Sequence, residues 1–201
     1  MYEIKANEVI YKGAHFRSKN EARRYIFMKE LGWNIEYEPI IEGLKNWIPD
    51  FIIFGKNAKI LVEAKPYQTA KDFETDYAKE VEKKIHNSGW TDLGYDAVFI
   101  MGSTLNLGNA DCGDDYSFIG GKIFRECEPD EYNPNSYRGD FFAYTDYPSG
   151  NVGVCDELNS YHDIINDAYD GSYSLSKKNY DLIDIAWNKA GTEMRYVKRI
   201  A

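Results

Sequence analysis

Residues 47–65 read WIPDFIIFGKNAKILVEAK, and the pattern of this stretch decides the fold of the first half of the chain. Asp50–Phe54 and Lys59–Ala64 are rich in Ile, Val, Leu and Phe, and Gly55-Lys56-Asn57 between them is a turn signal, so two short antiparallel strands are predicted. With Lys56 and Asn57 as the loop, Asp50 faces Glu63. Directly opposed residues have Cβ atoms about 4.5–5.5 Å apart on one face, and the strand period of two brings Lys65 to that face as well. Two carboxylates and an ammonium therefore converge in apolar strands. Opposed like charges destabilise a sheet unless something lies between them. A hard divalent cation such as Mg²⁺, which takes carboxylate, water and phosphate oxygens, suits the position. The bland alternative is a salt bridge from Lys65 to Glu63 or Asp50 at the sheet edge.

A Glu-x-Lys triplet is weak by itself, since about one chance match is expected in a chain of this length. The sequence has three. Glu3-Ile4-Lys5 lies near the N-terminus and Glu82-Lys83-Lys84 in a charged helical segment, so both read as solvated surface. Only Glu63-Ala64-Lys65 ends an apolar strand with a Pro-Asp pair upstream. Pro49-Asp50 followed by Glu63-Ala64-Lys65 resembles the signature of the PD-(D/E)XK nuclease superfamily, and residues 11–66 are similar to its small phage-encoded members. Phe16-Arg17-Ser18, Glu21-Ala22-Arg23, Tyr37-Glu38-Pro39, Pro49-Asp50-Phe51 and Val62-Glu63-Ala64-Lys65 follow that family's order and spacing. The second half matches poorly, apart from a weak likeness of residues 186–190 to a C-terminal helix of those phage proteins.

The resemblance implies a restriction-endonuclease-like α/β/α core: a helix, a three-strand antiparallel meander, a helix and a strand. It implies Mg²⁺-dependent, endonucleolytic hydrolysis of DNA phosphodiesters, with Mn²⁺ as a substitute. Asp50, Glu63, the Ala64 carbonyl and Glu21 would hold the metal. Lys65 would position the attacking water and offset charge on the phosphate.

With 201 residues the chain is long enough for one domain with a sizeable core. Residues 1–103 read as the nuclease-like core and 104–201 as an acidic, Tyr-rich elaboration packed on the same domain. No apolar run approaches a membrane span and no signal-peptide layout is visible, so a cytoplasmic protein is expected, in a host if phage-encoded. The three cysteines are widely spaced and imply neither a disulfide framework nor a zinc site. The net charge of −9 argues against nucleic acid, because Lys and Arg supply most non-specific affinity for phosphate. Its distribution qualifies that objection: residues 12–29 hold six basic side chains (Lys12, Arg17, Lys19, Arg23, Arg24 and Lys29) against Glu21 alone. Residues 111–170 carry fourteen acids against Lys122, Arg125 and Arg138. That stretch reads as a solvated face, as a site for a basic protein partner, or as an acidic flap competing with DNA for the basic helix.

Along the chain, Glu8–Phe16 turns at Lys12-Gly13 and could form a hairpin. Ser18-Lys19-Asn20-Glu21 fits a capping box, opening a helix that stops at Gly32, so Glu21 is either a cap or a ligand. Asn34–Glu38 is a strand, in which Glu38 reads as a salt-bridged or solvated residue. A helix follows Thr69, with Phe73, Tyr77, Val81 and Ile85 as its buried stripe. Gln68, just beyond Lys65, is either a phosphate contact or a solvated residue. Tyr95–Met101 is a buried strand. Beyond Ser103 only turns and short strands are expected, then helices over Leu158–Tyr169 and Tyr180–Tyr196.

DNA contacts are assigned to Lys12, Arg17, Lys19, Arg23, Arg24 and Gln68. The alternative function is a catalytically silent, acidic protein-binding module on the same fold, and a weaker one is action on RNA or a small nucleotide. Substrate shape, sequence preference, endo- versus exonucleolytic action and oligomeric state, a dimer included, are left open.

Overall fold

A computed structural model of the chain describes residues 8–108, 118–127, 137–146, 148–156, 162–169 and 175–195, together with the backbone of 198–199. The Lys12-Gly13 signal makes a hairpin of β1 (Val9–Tyr11) and β2 (Ala14–Phe16), with both turn residues at positive φ. Strand β12 (Lys198–Arg199) pairs with β1 to complete a small sheet. Ser18 caps α1 (Lys19–Glu30) by accepting from the Glu21 amide at 3.1 Å, and Gly32 at φ +80 lies just past its end.

Strands β3 (Asn34–Tyr37), β4 (Phe51–Phe54) and β5 (Lys59–Ala64) form an antiparallel meander. Phe51 pairs with Val62 and Phe54 with Lys59, the register set by the Lys56-Asn57 turn. Strand β6 (Ala97–Met101) runs parallel to β5 and is buried along its whole length, as expected of a strand covered on both faces. Between β5 and β6 lies α2 (Asp76–His86).

Alternation divides two cores. Phe51, Ile53, Ile60, Val62, Phe99 and Met101 face α1 and α3 (Lys177–Glu193), whereas Ile52, Leu61, Val98 and Ile100 face α2. Each wholly buried side chain of this kind, such as Phe51 or Phe99, contributes about 1.5–3 kcal/mol. The result is an α/β fold with helices on both faces of a mostly antiparallel sheet.

The sheet is larger than a meander plus one strand. It has seven strands in the order β3-β4-β5-β6-β7-β8-β9, where β7 is Ile119–Glu126, β8 Tyr137–Thr145 and β9 Gly153–Cys155. Where the sequence reads turns and fragments, β7 and β8 are continuous strands of eight and nine residues. Their glycines serve close packing instead of turning. A Cβ on Gly121 would run into the Ile100 carbonyl, and one on Gly139 would lie 2.5 Å from the Phe124 ring.

Two helical expectations are corrected. The helix read over Leu158–Tyr169 is replaced, where described, by β10 (His162–Asp163) and β11 (Ala168–Tyr169) joined by a turn. The Asp163 carboxylate, fully buried, accepts from the amides of Val154, Ile165 and Asn166 and so competes with a helical ladder. The helix after Thr69 is broken at Thr75. A short 3₁₀ segment, Ala70–Glu74, precedes α2, and Thr75 caps α2 through the Ala78 amide at 3.2 Å. Tyr77 is consequently 54% exposed and Ala78 takes the buried place beside Ile85.

The acidic stretch is not simply a solvated face. Asp146, Asp156 and Asp163 are buried, Asp156 against Arg125 at 2.7 Å and Asp146 against Asn179 at 2.7 Å. Residues 109–117, 128–136, 157–161 and 170, which carry much of that charge, lie outside the described residues. No helix among the described residues is long and apolar enough to cross a membrane.

Candidate active site

The pocket forms where α1 begins, β4 begins and β5 ends. Its volume is about 620 Å³, and its walls include Arg17, Glu21, Trp47, Asp50, Glu63, Ala64, Lys65 and Lys84. Asp50 is pinned by its own backbone, donating to Val62 O at 2.9 Å and accepting from the Glu38 amide at 2.9 Å. That ladder aims its side chain. Asp50 Oδ2 accepts from the Ala64 amide at 2.7 Å and Oδ1 from Arg17 Nη2 at 2.9 Å.

Glu63 follows Val62, the last β5 residue paired with β4, and so lies beside Asp50 just past the Phe51–Val62 pair. Its Oε1 meets Lys65 Nζ at 2.6 Å, and its Oε2 accepts from Trp47 Nε1 at 2.8 Å. Lys65 is fixed through its backbone, its amide donating to Met101 O at 2.8 Å and its carbonyl accepting from Asn20 Nδ2 at 3.0 Å. Glu21 lines the same pocket. Its Oε2 accepts from the Tyr37 hydroxyl at 2.7 Å, so the carboxylate is turned inward to Tyr37.

The electrostatics follow from crowding. Burial, then Glu63, then Glu21, push the Asp50 carboxyl well above the usual carboxylate range, against the lowering by the Ala64 amide and Lys65. Burial works against the Lys65 ammonium, but the charge and hydrogen bond of Glu63 outweigh it and hold the group above its ordinary value. Lys65 is therefore a cation at neutral pH. It can orient a water and stabilise negative charge, and it has no free lone pair with which to take a proton. Burial and the Glu21 hydrogen bond raise the Tyr37 hydroxyl well above its ordinary value, so it remains a donor to Glu21.

Asp50, Glu63, Ala64, Lys65 and Glu21 thus meet in one pocket, while the residues assigned to DNA scatter. Arg17 spans the pocket mouth, with Nη2 on Asp50 Oδ1 at 2.9 Å and Nε on Glu38 Oε1 at 2.5 Å. Lys12 is exposed on the β1–β2 turn and Lys19 half-buried at the start of α1. Arg23 stacks its guanidinium 3.7 Å from the Trp187 ring centroid. Arg24 requires a correction: it is wholly buried, donating to Gly102 O at 2.8 and 2.6 Å and to Thr104 O at 2.6 Å, where no DNA backbone can reach it. Gln68 is exposed, and its backbone closes the Asp72 turn at 2.7 Å instead of lining the pocket.

Trp47, Tyr37 and Lys84 are site residues whose roles sequence reading misses, Lys84 having read as solvated surface. A tryptophan three residues before the key aspartate, on a segment that must enter a buried strand, is the signal that could have marked the first. Tyr37 stands in the Tyr37-Glu38-Pro39 run, yet nothing local marks its hydroxyl as a donor to Glu21, which lies on another element.

The donor set suits a hard cation: two neighbouring carboxylates whose mutual repulsion is relieved here by the monovalent groups Lys65 and Arg17, with the Ala64 amide and the Trp47 indole as neutral donors. It is a two-carboxylate site. Among the described residues no group of three or more His, Cys, Asp or Glu is arranged to hold a metal ion, so Glu21 lines the pocket without completing a three-residue ligand set. Water and substrate oxygens would fill the remaining positions, which is the habit of Mg²⁺ more than of Ca²⁺ or Zn²⁺.

Comparison with protein-family models, curated proteins and solved structures finds no match to this chain. What the pocket can do is read from its own geometry.

Proposed function

We propose that this protein is a metal-dependent nuclease that hydrolyses DNA phosphodiester bonds at the Asp50–Glu63–Lys65 site. The observation that carries the proposal is the crowding of two buried carboxylates, Asp50 and Glu63, beside a lysine in an open pocket, just past the Phe51–Val62 end of the β4–β5 register. Outside catalysis such an arrangement is a liability, because like carboxylates on opposed strands destabilise the sheet. The order α1, antiparallel β3-β4-β5, α2, parallel β6 also fits the core of the PD-(D/E)XK superfamily, here continued by β7–β9.

Asp50 and Glu63, with the Ala64 carbonyl, would hold Mg²⁺ or Mn²⁺. The bound ion would supply Lewis-acid polarisation of the phosphate and neutralise part of its charge. The protein's own share is positioning. Trp47 and Lys65 fix the two oxygens of Glu63, the Ala64 amide fixes one oxygen of Asp50, and Lys65 presents a positive charge to the reacting phosphate. Lys84 adds a second cation to the wall for the neighbouring phosphate.

The rival reading, a silent protein-binding module, draws on the same contacts, since Lys65 and Arg17 already pair with the two carboxylates. Cleavage assays separate the two. Plasmid, single-stranded and branched DNA are incubated with Mg²⁺ or Mn²⁺ and the wild type, Asp50→Ala or Lys65→Ala. A loss of about 10²–10³ in rate is expected for each variant. Cleavage that survives both substitutions removes the proposal.

A further inference from the structure

Arg17 sits where a catalytic site of this charge needs a cation. Its guanidinium reaches three carboxylates, on Asp50 at 2.9 Å, Glu38 at 2.5 Å and Glu21 at 4.0 Å. The acids differ in how they are held. Asp50 and Glu21 are buried, whereas the Glu38 side chain is 38% exposed and the Arg17 side chain 46%. The guanidinium therefore bridges buried Asp50 and half-exposed Glu38 on the pocket wall, one nitrogen inward and one outward.

Glu38 is placed for this contact at a conformational cost. Its φ of +47 lies in the left-handed region that a non-glycine residue seldom adopts, and its amide is locked to Asp50 O at 2.9 Å. The Arg17 amide is fixed in turn, donating to the Tyr37 hydroxyl at 3.1 Å. Backbone and outer nitrogen are thus tethered independently of the Asp50 side chain. Only the Nη2 contact has to break for Asp50 Oδ1 to be released, while Oδ2 stays on the Ala64 amide.

From this we infer that Arg17 is an exchangeable counter-ion: it neutralises Asp50 while no divalent cation is bound, gives up Asp50 Oδ1 when one binds, and then offers the freed nitrogen to a substrate phosphate. The inference rests on the nuclease reading of the site and adds its order of events. A planar guanidinium suits both partners, since its fork matches a carboxylate and a phosphate equally well. Glu38 keeps the group at the mouth during the exchange, so the released nitrogen remains beside the pocket.

Mn²⁺ binding measured by titration calorimetry, without substrate, tests the exchange. Arg17→Gln removes the competitor and should bind Mn²⁺ about tenfold tighter than the wild type, the weight of one charge-assisted hydrogen bond to a half-exposed partner. Arg17→Lys, which keeps the charge and loses the fork, should fall between them. In Ca²⁺, Arg17→Gln should bind a short DNA duplex more weakly, with a salt slope shallower by about 0.9, the loss of one phosphate contact. Mn²⁺ affinity unchanged or lowered in Arg17→Gln overturns the inference, and does so alone if the wild type still cleaves DNA. No Mn²⁺ binding by either protein, with no cleavage by the wild type, overturns the nuclease reading as well.

Discussion

Replacing Asp50 by asparagine should stabilise this protein at neutral pH while abolishing cleavage. The residue is 4% exposed, and an asparagine Oδ1 keeps the acceptor for the Ala64 amide, now at 2.7 Å. What is given up is the contact with Arg17, whose side chain is 46% exposed, a loss of about 0–1 kcal/mol. What is relieved is a buried charge crowded by Glu63 and Glu21, a penalty of several kcal/mol that Lys65 and the Ala64 amide offset in part. A net gain of about 1–2 kcal/mol follows, the size of a typical single stabilising substitution. At roughly 2–4 °C per kcal/mol for a chain of this size, Tm should rise by about 2–8 °C.

The effect has a pH signature. The folded pKa of Asp50 lies above its unfolded value of about 3.9, so between the two the folded protein binds the extra proton and stability falls as pH rises. The gain from Asp50→Asn is therefore complete above the folded pKa, shrinks as pH falls through it, and is gone below the unfolded value. Thermal melts followed by circular dichroism at pH 7.5, 6, 5 and 4 read this directly. A variant that melts below the wild type at pH 7.5, or a gain that does not change with pH, would show Asp50 to be a structural salt-bridge partner and refute the reasoning.

Trp47→Phe removes the indole donor to Glu63 Oε2, now at 2.8 Å, a charge-assisted bond of about 1.5–3 kcal/mol, and should slow cleavage about ten- to a hundredfold. An unchanged rate would mean that Lys65 alone positions Glu63. Arg24→Met leaves the carbonyls of buried Gly102 and half-buried Thr104 without their donor and should cost about 3 kcal/mol or more, whereas Lys19→Ala should lower DNA affinity with Tm unchanged. Equal Tm for Arg24→Met and the wild type would contradict the buried placement. His86, which burial and then Lys122 push down to about 3, stays neutral in the folded protein while the unfolded chain takes up a proton below about pH 6.5. Its contribution to stability should fall by up to about 1.4 kcal/mol per pH unit as pH drops below about 6.5, and His86→Phe should lose less stability than the wild type between pH 7 and 4 in urea titrations.

Much of the first half was legible because its signals are local. The Lys56-Asn57 turn and strict alternation set the register of β4 and β5, and with it the meeting of Asp50, Glu63 and Lys65. Ser18 and Gly32 bounded α1 for the same reason. Local signals misled where a residue serves a distant neighbour. Gly121 and Gly139 look like turns in the chain, yet each makes room for another strand, and Asp163 looks like a helical polar position until its three amide donors are assembled.

Charge shows the division most clearly. The sequence by itself determined that Arg17, Arg23 and Arg24 are cations on one short stretch, and that Asp50 and Glu63 share a face. Only the tertiary structure decided that Arg24 is sealed under carbonyls 78 and 80 residues away, that Arg23 lies on Trp187, and that Arg17 guards the pocket beside Glu38. Side-chain spacing along one strand or helix follows from backbone period. Which solvent or partner a charge meets depends on elements that arrive from elsewhere in the chain, and no local period encodes that.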